Sequence, residues 1–147
     1  IHMSKAIFPG SFDPFTIGHA DIVDRGLKIF DKIVIAIGIN QAKPHLHDTE
    51  TRLQSISQTY ADNPNIEVYT YTGLTVDFAR RLGINIILRG VRSIKDYEYE
   101  SELADMNFKL TGIETVLLFS KPELASISSS ALRELSYFGK DISSFIP

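Results

Sequence analysis

Short apolar runs alternate along this chain with longer segments in which apolar residues recur every three or four positions. Runs of the first kind have the length of strands, and segments of the second kind are typical of amphipathic helices. The pattern predicts strands at 5–8, 32–39, 66–71, 85–88 and 114–119, and helices at 18–30, 49–61, 75–82, 94–110 and 128–138.

The run KIVIAIGI at 32–39 is nearly continuous Ile, Val and Ala, which suits a strand covered on both faces, as in parallel sheets. Because strands and helices alternate, we predict an α/β fold with a doubly wound, five-stranded parallel sheet and helices on both faces. Ligands of such sheets bind beyond the carboxyl ends of the strands, where the strand order reverses. The loops after the first, second, fourth and fifth strands are therefore the ones to search.

Length and composition narrow the class of protein. We interpret residues 1–147 as a single domain, with Met3 as the native start and Ile1-His2 as a cloning remnant. A formal net charge of −3 argues against sequence-independent binding to nucleic acid. The absence of cysteine excludes disulfides, thiolate metal sites and a cysteine nucleophile. No apolar run approaches the roughly 20 residues of a membrane-spanning helix, and no signal peptide is evident, so we expect a cytoplasmic protein without membrane partners.

The loop after the first strand reads PGSFDPFTIGH, and its two prolines and two glycines restrict the path of the backbone. Gly18 and His19 lie at the start of the following helix, where free N–H groups and the helix dipole favour an anion. The alternative is a tight turn with a solvent-facing histidine. The GxGxxG and GxxxxGK[ST] phosphate loops are absent, which argues against a dehydrogenase or a P-loop ATPase.

The next two loops carry basic residues. Lys43 follows the second strand and is either a phosphate ligand or a solvated lysine. His45 and His47 are spaced for a metal, but no third ligand is evident, and we interpret them as plain loop. The segment Arg89-Gly90-Val91-Arg92 after the fourth strand suits bidentate phosphate binding. Its alternative is a surface loop whose arginines pair with Glu98, Glu100 or Glu102.

Two helices remain ambiguous. Tyr99, Leu103 and Met106 form one stripe, which indicates either core packing or a pocket wall. Ser128-Ser129-Ser130 at the start of the last helix either cap that helix or also hold phosphate with hydroxyl and N–H groups. Because four loops with anion-binding chemistry share one edge of the predicted sheet, we predict a nucleotide phosphate site there.

The segment GSFDPFTIGH resembles the signature of the phosphopantetheine adenylyltransferase family, whose TxGH is a form of the HxGH signature of nucleotidyltransferases. RGVR at 89–92, YEYE at 97–100, LADMN at 103–107 and ISSS at 127–130 match the family in order. The resemblance implies a Rossmann-like nucleotidyltransferase fold. It also implies adenylyl transfer from ATP to 4′-phosphopantetheine, which gives dephospho-coenzyme A and pyrophosphate in the penultimate step of coenzyme A biosynthesis.

The resemblance also implies roles for individual residues. His19 would be the catalytic residue, binding ATP phosphate and stabilising the transition state. The second substrate would be bound by Ser11, Lys43, Leu74, Thr75, Arg89, Leu103, Met106 and Asn107. ATP would be bound by Ser11, Phe12, His19, Gly90, Val91, Arg92, Glu100, Leu124, Ala125, Ser126, Ile127, Ser128, Ser129 and Ser130.

The resemblance further implies a homohexamer, makes coenzyme A a candidate feedback ligand, and implies Mg²⁺ carried mainly by the ATP phosphates. The residue types fit this chemistry independently of the family. A phosphate monoester with a second pKa of about 6 is largely dianionic at pH 7. The reaction then requires alignment and cationic donors rather than a strong general base.

Two other functions stay open at this point. One is a nucleotidyltransferase that acts on a mononucleotide or on a sugar or polyol phosphate. The other is a phosphate-sensing module, because Lys121-Pro122 resembles a feature of phospho-receiver domains. Receivers also require acidic residues after the first strand and an Asp at the end of the third, where this chain has Gly10-Ser11 and Tyr71-Thr72.

Overall fold

The computed structural model describes residues 3–40 and 42–147, so Ile1 and His2, interpreted above as a cloning remnant, lie outside the described residues. Within these ranges the strands are β1 (Lys5–Gly10), β2 (Lys32–Gly38), β3 (Ile66–Tyr71), β4 (Ile86–Val91) and β5 (Glu114–Phe119). The helices are α1 (Ile17–Gly26), α2 (Thr49–Thr59), α3 (Thr75–Arg81), α4 (Ile94–Thr111) and α5 (Ser129–Tyr137), with short 3-10 turns at Pro122–Leu124 and Ser143–Phe145.

The strands form one sheet in the order β3-β2-β1-β4-β5, and every neighbouring pair is parallel. The predicted α/β fold with a doubly wound parallel sheet is therefore confirmed. The chain begins in the middle of the sheet, proceeds outward through β2 and β3, and returns to add β4 and β5 on the other side. The strand order consequently reverses between β1 and β4, which places the expected ligand crevice at the carboxyl ends of these two strands.

Both faces of the sheet are covered by apolar side chains from helices. Ile33, Ile35 and Ile37 of β2 belong to a core cluster that includes Ile22 and Val23 of α1 and Ile56 of α2. Their neighbours Val34 and Ala36 belong to a second cluster that includes Val76 and Ala79 of α3. Alternate residues of β2 thus point to opposite faces of the sheet, and both faces are buried. This is why the sequence of β2 is almost continuously apolar.

Predicted boundaries are wrong at several element ends, most of all at the ends of α1 and β4. The first helix ends at Gly26 rather than at residue 30. A Cβ at Gly26 would lie 2.7 Å from Ile33 Cδ1 and 2.8 Å from Leu88 Cδ2, so the last turn presses directly on the sheet, and the chain then turns to bury Phe30. The fourth strand continues to Val91 rather than ending at residue 88, because β5 pairs with it up to Phe119.

As a result, Arg89, Gly90 and Val91 belong to a strand and not to the loop after it. Pro9 and Gly10 likewise extend β1, opposite Ala36 and Ile37.

Among the helices of the described residues, none combines the length and the apolar character that crossing a bilayer requires.

Candidate active site

A cavity of about 380 Å³ lies at the carboxyl ends of β1 and β4. His19 reaches it from α1, Lys43 from the loop after β2, Arg89 from β4 and Ser129 from the start of α5. The four regions chosen from the sequence therefore meet at one rim. The predicted residues that line this cavity are Ser11, Phe12, His19, Lys43, Arg89, Gly90, Arg92, Glu100, Leu124, Ile127, Ser128, Ser129 and Ser130.

The orientation of His19 is determined by the residue that begins its helix. Thr16 is the N-cap of α1, and its Oγ1 accepts a hydrogen bond of 3.2 Å from the His19 backbone N–H. The Thr16 backbone N–H in turn donates to His19 Nδ1 across 2.9 Å. Because Nδ1 is an acceptor here, the ring proton is on Nε2. The imidazole therefore presents Nε2–H as its remaining hydrogen-bond donor.

The His19 ring packs against aromatic side chains. The centroid of Phe12 is 5.0 Å from it in an edge-on arrangement, and that of Phe15 is 5.3 Å away. Burial of the ring, together with the positive charges of Arg89 and Arg92, lowers the pKa of His19 from 6.5 to about 3. His19 is thus a neutral donor at pH 7, and the alternative of a solvent-facing histidine is wrong.

The loop between β1 and α1 folds back on itself at Phe12. Phe12 has a φ of 49°, in the left-handed region that non-glycine residues rarely adopt, yet its side chain is buried. A Cβ on Gly10 would lie 2.9 Å from Phe12 Cζ, so the ring can occupy this place only above a glycine. Gly10 therefore allows the backbone of Ser11 and Phe12 to border the cavity.

The three serines at the start of α5 have three different partners. Ser128 is the N-cap, and its Oγ accepts from the Ala131 N–H across 3.1 Å. Ser129 Oγ donates to the Pro14 carbonyl at 2.8 Å, which ties α5 to the loop after β1. Ser130 Oγ accepts from Arg133 Nη2 at 3.1 Å. The hydroxyls thus set the position of the helix, while the N–H groups of its first turn have no intrahelical acceptor and favour an anion.

Arg89 is held from two sides. Its Nε donates to Glu100 Oε2 at 2.6 Å and its Nη1 to the Pro9 carbonyl at 2.5 Å. Glu100 is 4% exposed, whereas the Arg89 side chain is 31% exposed, so the carboxylate is buried and the guanidinium reaches water. Arg89 therefore pairs with Glu100, as the alternative expected, and it also lines the cavity, where phosphate binding stays a prediction. Within the described residues its hydrogen bonds use Nε and Nη1, and Nη2 is left for an anion.

Arg92 has a comparable but more exposed partner. Its Nε lies 3.3 Å from Asp96 Oδ2, and its backbone N–H donates to the same oxygen at 3.1 Å. Because four residues separate them, the pair anchors Arg92 to the first turn of α4. The guanidinium of Arg92 thereby stays at the mouth of the cavity.

A second cavity of about 140 Å³ adjoins the first and shares the wall formed by Pro9, Gly10, Arg89, Tyr99 and Glu100. Its remaining lining comes from Tyr71, Thr75, Ile87, Leu103, Ala104, Asn107 and Thr115. The hydroxyls of Tyr71 and Thr75 lie 2.7 Å apart, so one donates to the other. The two spaces together can accommodate an extended ligand whose charged end lies at Arg89.

Some predicted residues lie elsewhere. Val91 is buried in β4, and Leu74 and Met106 have side chains more than half exposed outside both cavities. Neither cavity is lined by Ala125 or Ser126. The stripe of Tyr99, Leu103 and Met106 is solvent-exposed, so core packing is the wrong interpretation, and Tyr99 and Leu103 form a pocket wall.

Arg133 is a further residue of the site, not among those predicted from the sequence. It lines the main cavity and donates from Nη1 to the Asp13 carbonyl at 2.9 Å. Arg133 follows Ser130 by three residues and Ser129 by four on a predicted helix, so it lies on the same helix face as these serines. This spacing is a sequence signal by which Arg133 could be found. The sequence carries no comparable signal for Asp13 and Arg52, because their partners in the remote loops are backbone groups.

Two other sequence features, the Lys121-Pro122 segment of the phosphate-sensing alternative and the His45/His47 pair, have ordinary structural surroundings. Lys121 pairs with Asp21 at 3.3 Å and lines neither cavity. The backbone N–H of His47 donates to Asp13. Across residues 3–40 and 42–147, no group of three or more His, Asp or Glu side chains is arranged to hold a metal ion.

The chain is similar to known proteins in sequence. The sequence model of the cytidylyltransferase-like family matches residues 7–135. The chain is 55% identical to a phosphopantetheine adenylyltransferase of Porphyromonas gingivalis, over 97% of this chain and 93% of that protein. It is 53% identical to a phosphopantetheine adenylyltransferase of Bacteroides thetaiotaomicron, over 99% of this chain and 96% of that protein.

A solved structure shows the same fold at low sequence identity. A bifunctional NMN adenylyltransferase/ADP ribose pyrophosphatase from Francisella tularensis superposes with a TM-score of 0.77 at 16% identity, over 99% of this chain and 45% of that protein. The shared architecture is thus a Rossmann-like nucleotidyltransferase fold.

Proposed function

The chain belongs to the phosphopantetheine adenylyltransferase family, and we propose that its two adjoining cavities hold the two substrates of that reaction. It transfers the adenylyl group of ATP to 4′-phosphopantetheine, giving dephospho-coenzyme A and pyrophosphate in coenzyme A biosynthesis. The match over residues 7–135 supports treating the chain as one nucleotidyltransferase domain. The observation that carries the site assignment is the shared wall at Arg89, where both spaces meet cationic side chains.

ATP belongs in the larger cavity. The His19 Nε2–H, the first turn of α5 and the Arg92 guanidinium supply donors for its phosphates around one opening. Glu100 was expected to contact ATP, but its carboxylate is bound to Arg89, so we assign it to orienting that arginine. The remaining contacts are proposed for Ser11, Phe12, Gly90, Leu124, Ile127, Ser128, Ser129 and Ser130.

The second substrate belongs in the smaller cavity. Its phosphate would lie at the shared wall against Arg89, within reach of Lys43 from the larger cavity, and its pantetheine arm would extend between α3 and α4. Thr75, Leu103 and Asn107 line the path of the arm, and the Tyr71–Thr75 pair offers hydroxyl groups to its amides. The exposed side chains of Leu74 and Met106 would contact the arm only near the cavity mouth.

This arrangement accounts for the chemistry without a general base. The phosphate of the second substrate has a second pKa of about 6 and is largely ionised at pH 7, so an oxygen of it can attack the α-phosphorus directly. A P–O bond forms there as the bond to pyrophosphate breaks. The Nε2–H of neutral His19 donates to the charge that develops on the phosphate oxygens. Lys43 and Arg89 hold the nucleophile in line.

The divalent metal enters with ATP in our proposal. The carboxylates that line the main cavity are Asp96 and Glu100, and each is engaged by an arginine. Such a donor set does not form a carboxylate cage for Mg²⁺, which prefers phosphate oxygens and water in nucleotide sites. We therefore propose Mg²⁺·ATP as the form that binds.

The deciding experiment is a product assay. The folded protein, given Mg²⁺, ATP and 4′-phosphopantetheine, should release pyrophosphate and form a product with the mass of dephospho-coenzyme A. His19→Ala should lower kcat far more than it raises the KM for ATP, because the His19 bond strengthens in the transition state. Absence of product would overturn the assignment, and turnover of a mononucleotide or a sugar phosphate instead would favour another nucleotidyltransferase.

The exposed side of α4 supports self-association. Tyr99, Leu103, Met106 and Leu110 follow one another at spacings of four, three and four residues, and each is at least 42% exposed. An apolar stripe of this kind on a helix surface is typical of an interface between proteins. We propose that copies of this chain pack here, in the homohexamer that the family resemblance implies.

Two further proposals follow from the substrates. Coenzyme A differs from the product only by a 3′-phosphate, so it could occupy both cavities at once and act as a feedback ligand. Competition between coenzyme A and ATP in the product assay would test this.

Because ATP is a cytoplasmic nucleotide, we place the reaction in the cytoplasm.

A further inference from the structure

The loops after β1 and β2 are joined by a buried carboxylate. Asp13 is 3% exposed and lies between Ser11 and His19 in the loop that leads to α1. Its Oδ2 accepts the Leu46 N–H at 2.7 Å, and its Oδ1 accepts the His47 N–H at 2.9 Å. A buried carboxylate is costly unless its oxygens are hydrogen-bonded, and here both oxygens bind successive backbone donors of the other loop.

A buried guanidinium makes a second connection between the same regions. Arg52 of α2 is 2% exposed, and its Nη1 donates to the Ser11 carbonyl at 2.6 Å. Its Nη2 donates to Thr49 Oγ1 at 3.2 Å. Arg52 thus ties the start of α2 to the loop after β1. We refer to Asp13 and Arg52 together as the loop clamp.

The clamp determines where Lys43 can lie. Lys43 has an exposed side chain in the connection from β2 to α2, a position at which a lysine is ordinarily mobile. This connection is fixed at one end by β2, and Asp13 fixes it again at Leu46, three residues beyond Lys43. Since Asp13 belongs to the loop that also carries Ser11, the clamp sets the distance between Lys43 and the side of the cavity formed by Ser11 and His19.

We propose that the loop clamp is a positioning device for adenylyl transfer, in which Asp13 places Lys43 against the reacting phosphates. Neither clamp side chain lines the main cavity, so both act through other residues. The inference rests on the proposed function, because it requires the phosphate of the second substrate to bind at Lys43. A small displacement of a group that aligns reactants can cost on the order of 100-fold in rate.

The same two strands carry a matched control at their opposite ends. The Ser4 N–H donates to Asp31 Oδ2 at 2.9 Å, and the Asp31 N–H donates to Ser4 Oγ at 3.0 Å. This connection joins the chain just before β1 to the chain just before β2, and neither residue lines either cavity. Asp31→Asn therefore perturbs a carboxylate-to-backbone connection of the same strands without reaching Lys43.

The first test compares Asp13→Asn with Asp31→Asn. The Asn amide NH₂ in place of one Asp13 oxygen would face a backbone N–H, so one of the two bonds is lost while the side-chain volume is kept. We expect Asp13→Asn to lower kcat/KM for 4′-phosphopantetheine by about tenfold or more, with a smaller change in the KM for ATP. Asp31→Asn should leave both values within about twofold of wild type. Wild-type values for Asp13→Asn would overturn the inference.

The second test is a double-mutant cycle with Lys43→Ala. If Asp13 acts through Lys43, adding Asp13→Asn to Lys43→Ala should change kcat/KM by less than about twofold. An equal loss in both backgrounds would show a merely structural role and overturn the inference. Should Asp13→Asn fail to fold, Arg52→Lys, which keeps the charge but loses the forked donors, enters the same cycle with the same criteria. A wild-type protein that makes no dephospho-coenzyme A would instead overturn the proposed function.

Discussion

The backbone N–H of Thr16 donates to Nδ1 of His19 across 2.9 Å, so the residue that caps α1 also fixes the tautomer of the imidazole that we propose as the catalytic group. Protonation of the neutral ring would have to occur at Nδ1, where this N–H already points. This hydrogen bond disfavours protonation at Nδ1, while burial of the ring and the charges of Arg89 and Arg92 lower the pKa of His19. In the proposed reaction, the neutral ring donates to phosphate without first having to acquire a proton.

The low pKa of His19 predicts a loss of stability in acid. The folded state has a pKa of about 3 at this site, and the unfolded chain has the ordinary value of 6.5. Below pH 6.5 the unfolded chain binds a proton that the folded protein excludes, so the free energy of unfolding falls as the pH decreases toward 3. We expect about 1 kcal/mol per pH unit from this one site in the middle of the window.

Urea unfolding of wild type and His19→Asn between pH 7 and pH 4 checks this prediction. Because Asn does not titrate, the variant should lose less stability over the range, and the gap between the two proteins should narrow steadily. Parallel curves with a constant gap would mean that His19 titrates normally in the folded state.

The cap of α1 predicts separate effects on stability and catalysis. Thr16→Val removes the Oγ1 that accepts the His19 N–H but keeps the backbone N–H that binds Nδ1. We expect a loss of about 1 kcal/mol in the free energy of unfolding, as for other N-cap removals, with kcat reduced only a few-fold. Thr16→Ser should retain most of the stability. A Thr16→Val protein as stable as wild type would contradict the capping role.

The Arg89–Glu100 pair predicts an effect on one substrate. Glu100→Gln keeps the shape of the side chain but removes the negative charge from Arg89 Nε, so the guanidinium is held less firmly. We expect the KM for 4′-phosphopantetheine to rise about tenfold and the KM for ATP to change less. The matched control is Asp105→Asn, which removes the exposed partner of Lys109 and should change neither constant. Equal changes for both substrates would argue against the assignment of Arg89.

The exposed stripe of α4 predicts that one substitution dissociates the assembly that we propose. Leu110 is 65% exposed and lines neither cavity, so a charge there perturbs an interface without entering the site. Leu110→Glu should lower the mass measured by sedimentation equilibrium at a protein concentration where wild type is fully assembled. Glu102→Gln, at another exposed position of the same helix, serves as the control. An unchanged mass for Leu110→Glu would place the interface elsewhere.

Much of the fold could be predicted from local patterns. The bounds of β3 and β5 agree with the prediction, because polar or turn-forming residues flank both apolar runs. The errors occurred where the decisive contact is remote in sequence. β4 continues through the charged Arg89 because β5 offers it a hydrogen-bonding edge, and no local pattern reports the length of a neighbouring strand.

By itself, the sequence determined the order of strands and helices and the chemistry of the residues that follow the strands, because periodicity and residue type are properties of short segments. Only the tertiary structure decided how those residues are held. Arg89 depends on the Pro9 carbonyl and Glu100, and Asp13 on the N–H groups of Leu46 and His47. Every residue carries similar backbone donors and acceptors, so the backbone partners leave no trace in the sequence, and among the glutamates that the sequence offers to Arg89 only the path of the folded chain selects Glu100.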